Sequence, residues 1–104
     1  MRLVLALAVS LAAPLPAQAS LEDSVVNAVQ MCKWLDSLDL LTGKCSVVVK
    51  STAVDIKIAT SAGEAREICK TISGTMRGDG VRFDRGWQLR IANKSNKRIA
   101  QCAL

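Results

Sequence analysis

Cysteines are the residues of this sequence whose chemistry is most constrained by their type and spacing. None of the four is part of a Cys-x-x-Cys motif, and the sequence contains no histidine that could complete a mixed metal site. An even number of cysteines in a small exported chain is typical of structural disulfides. We therefore expect two disulfides, and neither a metal nor a cofactor. The four cysteines are Cys32, Cys45, Cys69 and Cys102.

Four cysteines allow three pairings. We predict Cys32–Cys45 with Cys69–Cys102, because each bridge then joins a predicted helix to a predicted strand without a long-range crossing. The rival pairing is Cys32–Cys69 with Cys45–Cys102. It follows from the comparable places of Cys32 and Cys69 in two helices that are each followed by two strands. The residues alone leave this rival open.

The sequence contains few of the residue types that support catalysis. Without histidine, neither a Ser-His-Asp nor a Cys-His arrangement can form. Most of the nine carboxylates lie on predicted solvated helix faces or in turns, and none lies in the apolar surroundings that a catalytic acid needs. The tripeptide Arg77-Gly78-Asp79 matches an adhesion motif, but so short a match arises easily by chance. We expect that the protein is not an enzyme.

Basic residues are concentrated in the C-terminal half. Residues 20–63 contain four lysines and five acids, whereas residues 64–104 contain nine lysines or arginines and four acids. Such an imbalance favours anionic partners. Four cations on a predicted strand and the following turn are the expected contact for an anion or a partner: Arg90, Lys94, Lys97 and Arg98. Three cations of a glycine-rich connector are expected to close over them: Arg77, Arg82 and Arg85. A basic hairpin that only keeps an edge strand from aggregating is the alternative.

Aromatic residues are few. One phenylalanine, two tryptophans and no tyrosine make a poor stacking platform, so nucleic acid is not an expected partner. Trp87 begins an alternating strand and is expected in the core rather than at a stacking site. Asn93-Lys94-Ser95 is an N-glycosylation sequon, which matters only in a eukaryotic secretory pathway.

The first nineteen residues have the order of a secretory signal peptide. A positive start is followed by an apolar run from Leu3 to Ala13, and Ala17-Gln18-Ala19 places small residues at a cleavage site. The run would span about 16 Å, too little for a hydrocarbon core of about 30 Å. We predict cleavage after Ala19, which leaves one domain (residues 20–104) without a membrane-spanning segment. The expected location is periplasmic or extracellular, and the features of the signal favour the periplasm.

Two helices are predicted from capping residues and apolar periodicity. The first runs from Leu21 to about Leu41 and is capped by Ser20 or Asp23. Its expected buried stripe consists of Val25, Ala28, Val29, Cys32, Leu35 and Leu38. The second follows a Ser61–Glu64 capping box and is expected to end at Ser73, with Gly74 as its left-handed cap.

Strands are predicted from β-branched residues and alternation, at residues 45–51, 54–60, 87–92 and 98–104, with a short edge strand at 81–83. The order is therefore α-β-β-α-β-β. This order predicts an α+β two-layer sandwich of antiparallel hairpins, with both helices packed on one face.

These features together predict a small exported binding or interaction module. Its expected contact surface is the basic hairpin region, and its expected partner is a protein or an anionic surface. Two alternatives remain open: a structural accessory subunit of an envelope complex, and a secreted inhibitor of a partner enzyme.

Overall fold

The computed structural model describes residues 19–104, so the predicted signal peptide, except for Ala19, lies outside the described residues. The helices and strands are α1 (Leu21–Asp36), β1 (Ser46–Val48), β2 (Ala53–Lys57), α2 (Ala62–Gly78), β3 (Gln88–Ala92) and β4 (Arg98–Ala103). The predicted order α-β-β-α-β-β is confirmed. Within this part of the chain, neither helix has the length and apolar character needed to cross a membrane.

The four strands form one mixed sheet in the order β1-β2-β3-β4. The pairs β1–β2 and β3–β4 are antiparallel, as predicted. The central pair β2–β3 is parallel, and α2 makes the crossover that a parallel pair requires. Buried residues of both helices and of one sheet face form a single core, which confirms the α+β sandwich.

Alternation along the strands decides which side chains enter this core. Val54 and Ile56 of β2 and Leu89 and Ile91 of β3 are buried against the helices. Trp87, just before β3, is 2% exposed, which confirms its predicted place in the core. Its ring centroid lies 5.9 Å from that of Phe83. Among the described residues, no hydrogen-bond acceptor reaches the buried indole N–H.

Helix α1 begins at a capping box, in which the Ser20 hydroxyl accepts from the Asp23 N–H and the Asp23 carboxylate accepts from the Ser20 N–H. The helix ends earlier than predicted because the Asp36 carboxylate accepts from the Cys45 N–H and helps to turn the chain back. Its buried stripe also differs. Val29 is 42% exposed, and Met31 is buried instead.

Helix α2 extends beyond its predicted end. The Ser61 hydroxyl accepts from the Glu64 N–H, as expected of this cap. The Glu64 carboxylate accepts from the Thr60 hydroxyl, so only one half of the predicted capping box forms. Gly74 lies within the helix, because the residue with positive φ is Gly80. There the Val81 N–H donates to the Met76 carbonyl and the Gly80 N–H to the Arg77 carbonyl, which is the Schellman pattern.

Three strand predictions need correction. A 3-10 helix at Val49–Ser51 ends β1 early, and Thr52 then adopts a left-handed conformation with φ of 47°. Strand β2 ends at Lys57, short of the predicted residue 60. Residues 81–83 form no strand, because their chain is drawn to α1, where the Asn27 side chain donates to the Arg82 carbonyl.

Both predicted disulfides are confirmed. Cys32 of α1 is bonded to Cys45, which immediately precedes β1. Cys69 of α2 is bonded to Cys102 of β4. Each bridge therefore joins a helix to the sheet region within one αββ half, and the rival pairing is wrong.

Candidate functional site

The sheet face opposite the helices carries polar side chains. One cross-strand row of this face contains Ser46, Asp55, Arg90 and Gln101. These residues alternate with the core residues of the same strands, so their orientation follows from the pleat. The polar face is called the open face below.

Arg90 and Asp55 form an ion pair at the centre of the open face. Nε of Arg90 lies 2.5 Å from Oδ1 of Asp55, and Nη2 lies 2.8 Å from Oδ2. The two side chains are 16% and 39% exposed. The hydrogen bonds to Asp55 raise the pKa of Arg90 above its ordinary value, partial burial opposes the rise, and the Asp55 charge adds to it. The predicted contact residue Arg90 is therefore paired within the molecule.

A groove of about 310 Å³ lies beside this ion pair. In the row of paired residues next to it, Ala92 of β3 stands between Lys57 of β2 and Arg98 of β4. Neighbouring strands are about 4.8 Å apart, so the two cations rise from backbones about 10 Å apart. Because the Ala92 side chain is small, it leaves space between them.

One wall of the groove depends on the loop before β1. The Thr42 N–H donates to the Lys57 carbonyl over 2.9 Å. A methyl group placed on Gly43 would lie 3.9 Å from Cδ of Lys57, so the loop approaches the Lys57 stem. The disulfide at Cys45 anchors the end of this loop to α1. Lys44, which lines the groove, is thus held by its neighbours on both sides.

The other wall is the turn between β3 and β4. Oδ1 of Asn93 accepts from the Ser95 N–H over 2.9 Å and from the Lys97 N–H over 3.0 Å. Asn96 adopts a positive φ of 67° and lines the groove. These bonds fix the turn from which Arg98 enters β4.

The structure separates the sequence-predicted cations into three sets. Arg98 lines the groove. Arg90 also lines it, but its charge is shared with Asp55. Lys94 and Lys97 belong to the adjoining turn and are not among the residues that line the groove.

The predicted convergence of the connector cations on this surface does not match the geometry. Nη2 of Arg77 donates to the Ala103 carbonyl, and Ala103 pairs with Gln88 at the opposite end of β3 from Ala92. Arg82 and Arg85 lie in the segment between α2 and β3, at that same end. Arg82 and Arg85 lie away from the groove, because their segment leads into the start of β3, whereas the groove lies at the end of β3 near Ala92.

Lys44, Lys57 and Asn96 are site residues that sequence reasoning missed. Alternation along β2 does indicate that Lys57 shares a face with Asp55. The missing information was the pairing of β2 with β3, which brings that face beside Arg90 and Ala92.

The groove offers electrostatic binding. Within residues 19–104, no carboxylate forms an ion pair with Lys44, Lys57 or Arg98. The same residues contain no group of His, Cys, Asp or Glu suited to hold a metal ion. Three ammonium or guanidinium groups around a small floor are suited to an anion, which they can bind through charge-assisted hydrogen bonds.

A second hollow, of about 540 Å³, lies on α1 and is mostly apolar. It is lined by Leu21, Glu22, Asp23, Val25, Val26 and Val49. Among the large apolar residues of the described part of the chain, Val26 is the most exposed, at 59%. This hollow has a different character from the groove and shares no residue with it.

Comparisons of this chain with protein-family models, with curated proteins and with solved structures found no match.

Proposed function

We propose that this protein is a small exported binding module that holds an anionic group in the groove between Lys57 and Arg98. The observation that carries the proposal is the pair of unneutralised cations on either side of Ala92, in a groove of about 310 Å³. A third cation, Lys44, stands at the same end of the sheet. A compact anion such as a phosphate or carboxylate group suits this space.

The Arg90–Asp55 ion pair supports the proposal because it changes the distribution of positive potential along the groove. Because Asp55 neutralises the nearest arginine, the positive potential is concentrated towards the outer end of the groove. The pair also fills the centre of the open face with a fixed polar surface. An anion is therefore directed to the Ala92 end rather than spread over the whole face.

Export is the second part of the proposal. The apolar run and the small residues before Ser20 have the pattern of a cleaved secretory signal. The two disulfides are of the kind that persists in an oxidising compartment. Intact mass and N-terminal sequencing of the exported protein test this part, with Ser20 as the expected first residue.

Titration of the oxidised domain (residues 20–104) with inorganic phosphate at low ionic strength tests the groove. Backbone amide shifts should change at Ala92, Asn96 and Arg98. The double variant Lys57→Gln with Arg98→Gln should bind about tenfold more weakly, which corresponds to about 1.4 kcal/mol. Wild-type affinity should also fall steeply as salt is added.

The matched control is the double variant Lys94→Gln with Lys97→Gln. It removes the same number of charges from the turn beside the groove, but not from its lining. Compared at about 0.15 M salt, where charges more than about 8 Å from the site are largely screened, its phosphate affinity should stay within about twofold of wild type. Equal losses in the two double variants would show that net charge alone drives binding, and the groove assignment would then be wrong.

A further inference from the structure

Strand β4 has an unpaired outer side. It pairs with β3 on one side only, and it is the last strand in the sheet order. Among residues 19–104, no strand covers its other side. An exposed edge of six residues is long enough to act as a template for an added strand.

The pairing register identifies the backbone groups that point outward from this edge. The Leu104 N–H donates to the Trp87 carbonyl over 2.9 Å, so residue 104 is directed towards β3. Antiparallel ladders alternate, so Cys102 and Ala100 are also directed inward, while Ala103 and Gln101 are directed outward. The Ala103 carbonyl fits this assignment, because it accepts from the guanidinium of Arg77 over 3.1 Å.

An arginine stands at each end of this edge. Arg98 is the first residue of β4 and lines the groove on the open face. Arg77 reaches the other end of β4 from α2, which packs on the helix-covered face. The two cations therefore lie on opposite sheet faces. A β-bulge sets Arg98 and Ile99 together opposite Ala92, whereas Leu104, next to the carbonyl that binds Arg77, lies opposite Trp87. The two ends of the edge are therefore five regular steps apart, about 16 Å.

We propose that β4 binds an extended acidic peptide segment as a fifth strand, with one acid at Arg98 and a second acid five residues away at Arg77. An odd spacing along an extended strand places two side chains on opposite faces. This is the arrangement that the two arginines require. The outward N–H and C=O groups of Gln101, together with the Ala103 N–H, supply the backbone contacts.

Charge also decides between this occupant and a second copy of the chain. Strand β4 contains no carboxylate, so a second β4 strand would offer no acid to Arg98 or to Arg77. An acid at each end of the incoming strand supplies a partner for both arginines.

The opposite edge of the sheet is less suitable. Strand β1 has three residues and leads directly into a 3-10 helix. Short or interrupted edge strands resist strand addition.

The inference rests on the proposed function only in that one acid of the peptide enters the groove beside Arg98.

The test uses a synthetic hexapeptide, acetyl-Glu-Thr-Val-Thr-Val-Glu-amide, with the oxidised domain and hydrogen exchange read by NMR. At saturation, the amide protons of Gln101 and Ala103 should exchange at least tenfold more slowly, because they become hydrogen-bonded. The same peptide with N-methylated backbone amides on its pairing side should give no protection. A peptide with both end residues changed to lysine should bind at least tenfold more weakly.

Two single variants separate this inference from the groove proposal. Arg77→Gln should weaken peptide binding about threefold, the size expected for an exposed ion pair, and should leave phosphate binding unchanged because Arg77 is not part of the groove. Lys57→Gln should weaken phosphate binding about fivefold and peptide binding by no more than about threefold, because only one of the two peptide acids enters the groove. Circular dichroism of each variant verifies its fold.

Protection that appears at Ser46–Val48 instead of β4, or equal binding of the acidic and lysine-ended peptides, would overturn the edge assignment. So would undiminished binding of the N-methylated peptide. Phosphate binding without peptide binding would remove only this inference. Peptide protection without phosphate binding would remove only the groove proposal.

Discussion

The two faces of the sheet are built from alternate residues of the same strands, but one face is buried and apolar and the other is polar. On the covered face, Leu89 and Ile91 are buried among the helices, and Cys102 ties β4 to α2. On the open face, Arg90 and its neighbours form a polar surface beside a groove. Burial of apolar area stabilises the fold mainly through the first face.

This division allows the open face to vary without loss of the fold. A charge on the covered face would have to be desolvated, which costs several kcal/mol. A charge on the open face can stay hydrated, or it can be paired there as Arg90 is with Asp55. We therefore expect changes on the covered face to alter the free energy of unfolding and changes on the open face to alter binding.

The largest effect is expected from the disulfide of the covered face. Changing Cys69 and Cys102 together to Ala should lower the free energy of unfolding by about 4 kcal/mol, because the 33-residue separation leaves a large loop unconstrained in the unfolded chain. The matched change of Cys32 and Cys45, separated by 13 residues, should cost about 3 kcal/mol. Urea unfolding measures both, and a larger loss for the second pair would contradict the ranking.

The next effect concerns packing alone. Leu89 is fully buried, so Leu89→Ala should lower the free energy of unfolding by about 3 kcal/mol through lost burial and a residual cavity. The neighbouring change Gln88→Ala, on the open face, is the control and should cost less than about 0.5 kcal/mol. Similar losses at the two positions would break the distinction between the faces.

A smaller effect is expected at the ion pair. Asp55→Asn should lower the free energy of unfolding by about 1 kcal/mol, because the largely buried Arg90 side chain loses a two-point partner. The same change should strengthen phosphate binding about threefold, because Arg90 becomes available at the groove. A double-mutant cycle with Arg90→Gln isolates the pair energy, and phosphate binding that weakens in Asp55→Asn would contradict this account.

The smallest effect on stability is expected at the groove itself. Lys57→Gln and Arg98→Gln should each change the free energy of unfolding by less than about 0.5 kcal/mol, because neither cation forms an ion pair in the described chain. Thermal unfolding at low and moderate salt measures this. A loss above 1 kcal/mol would mean that the open face also supports the fold.

Local signals in the sequence predict the order of the elements and favour the observed disulfide pairing, although they leave the rival pairing open. The alternation in Val54–Ile58 and the Ser61–Glu64 pattern predicted a strand and a helix start that the structure confirms. The cysteine pairing also followed from local order, because each bridge lies within one αββ half. Helix ends were less predictable, since Asp36 and Gly80 act through contacts that form only in the folded chain.

The candidate site depends on long-range order that no local pattern contains. Lys57 and Arg98 share the groove because α2 carries the chain across the sheet and sets β3 parallel to β2. The sequence alone permitted two separate hairpins, each with its own polar face. The local pattern therefore predicts a free charge at Arg90, whereas the parallel register places Arg90 opposite Asp55.

The central parallel pair β2–β3 also divides the molecule into two halves, residues 20–57 and 62–104, each of which contains one complete disulfide. Neither disulfide crosses the seam between β2 and β3, which is held by backbone hydrogen bonds such as Ile58 N–H to the Ala92 carbonyl. The only covalent link between the halves is the short segment 58–61. If two chains exchanged halves across this segment during oxidative refolding, no disulfide would join the two chains of the resulting dimer. Reducing agents alone would not convert such a dimer to monomers, because each disulfide remains within its own chain.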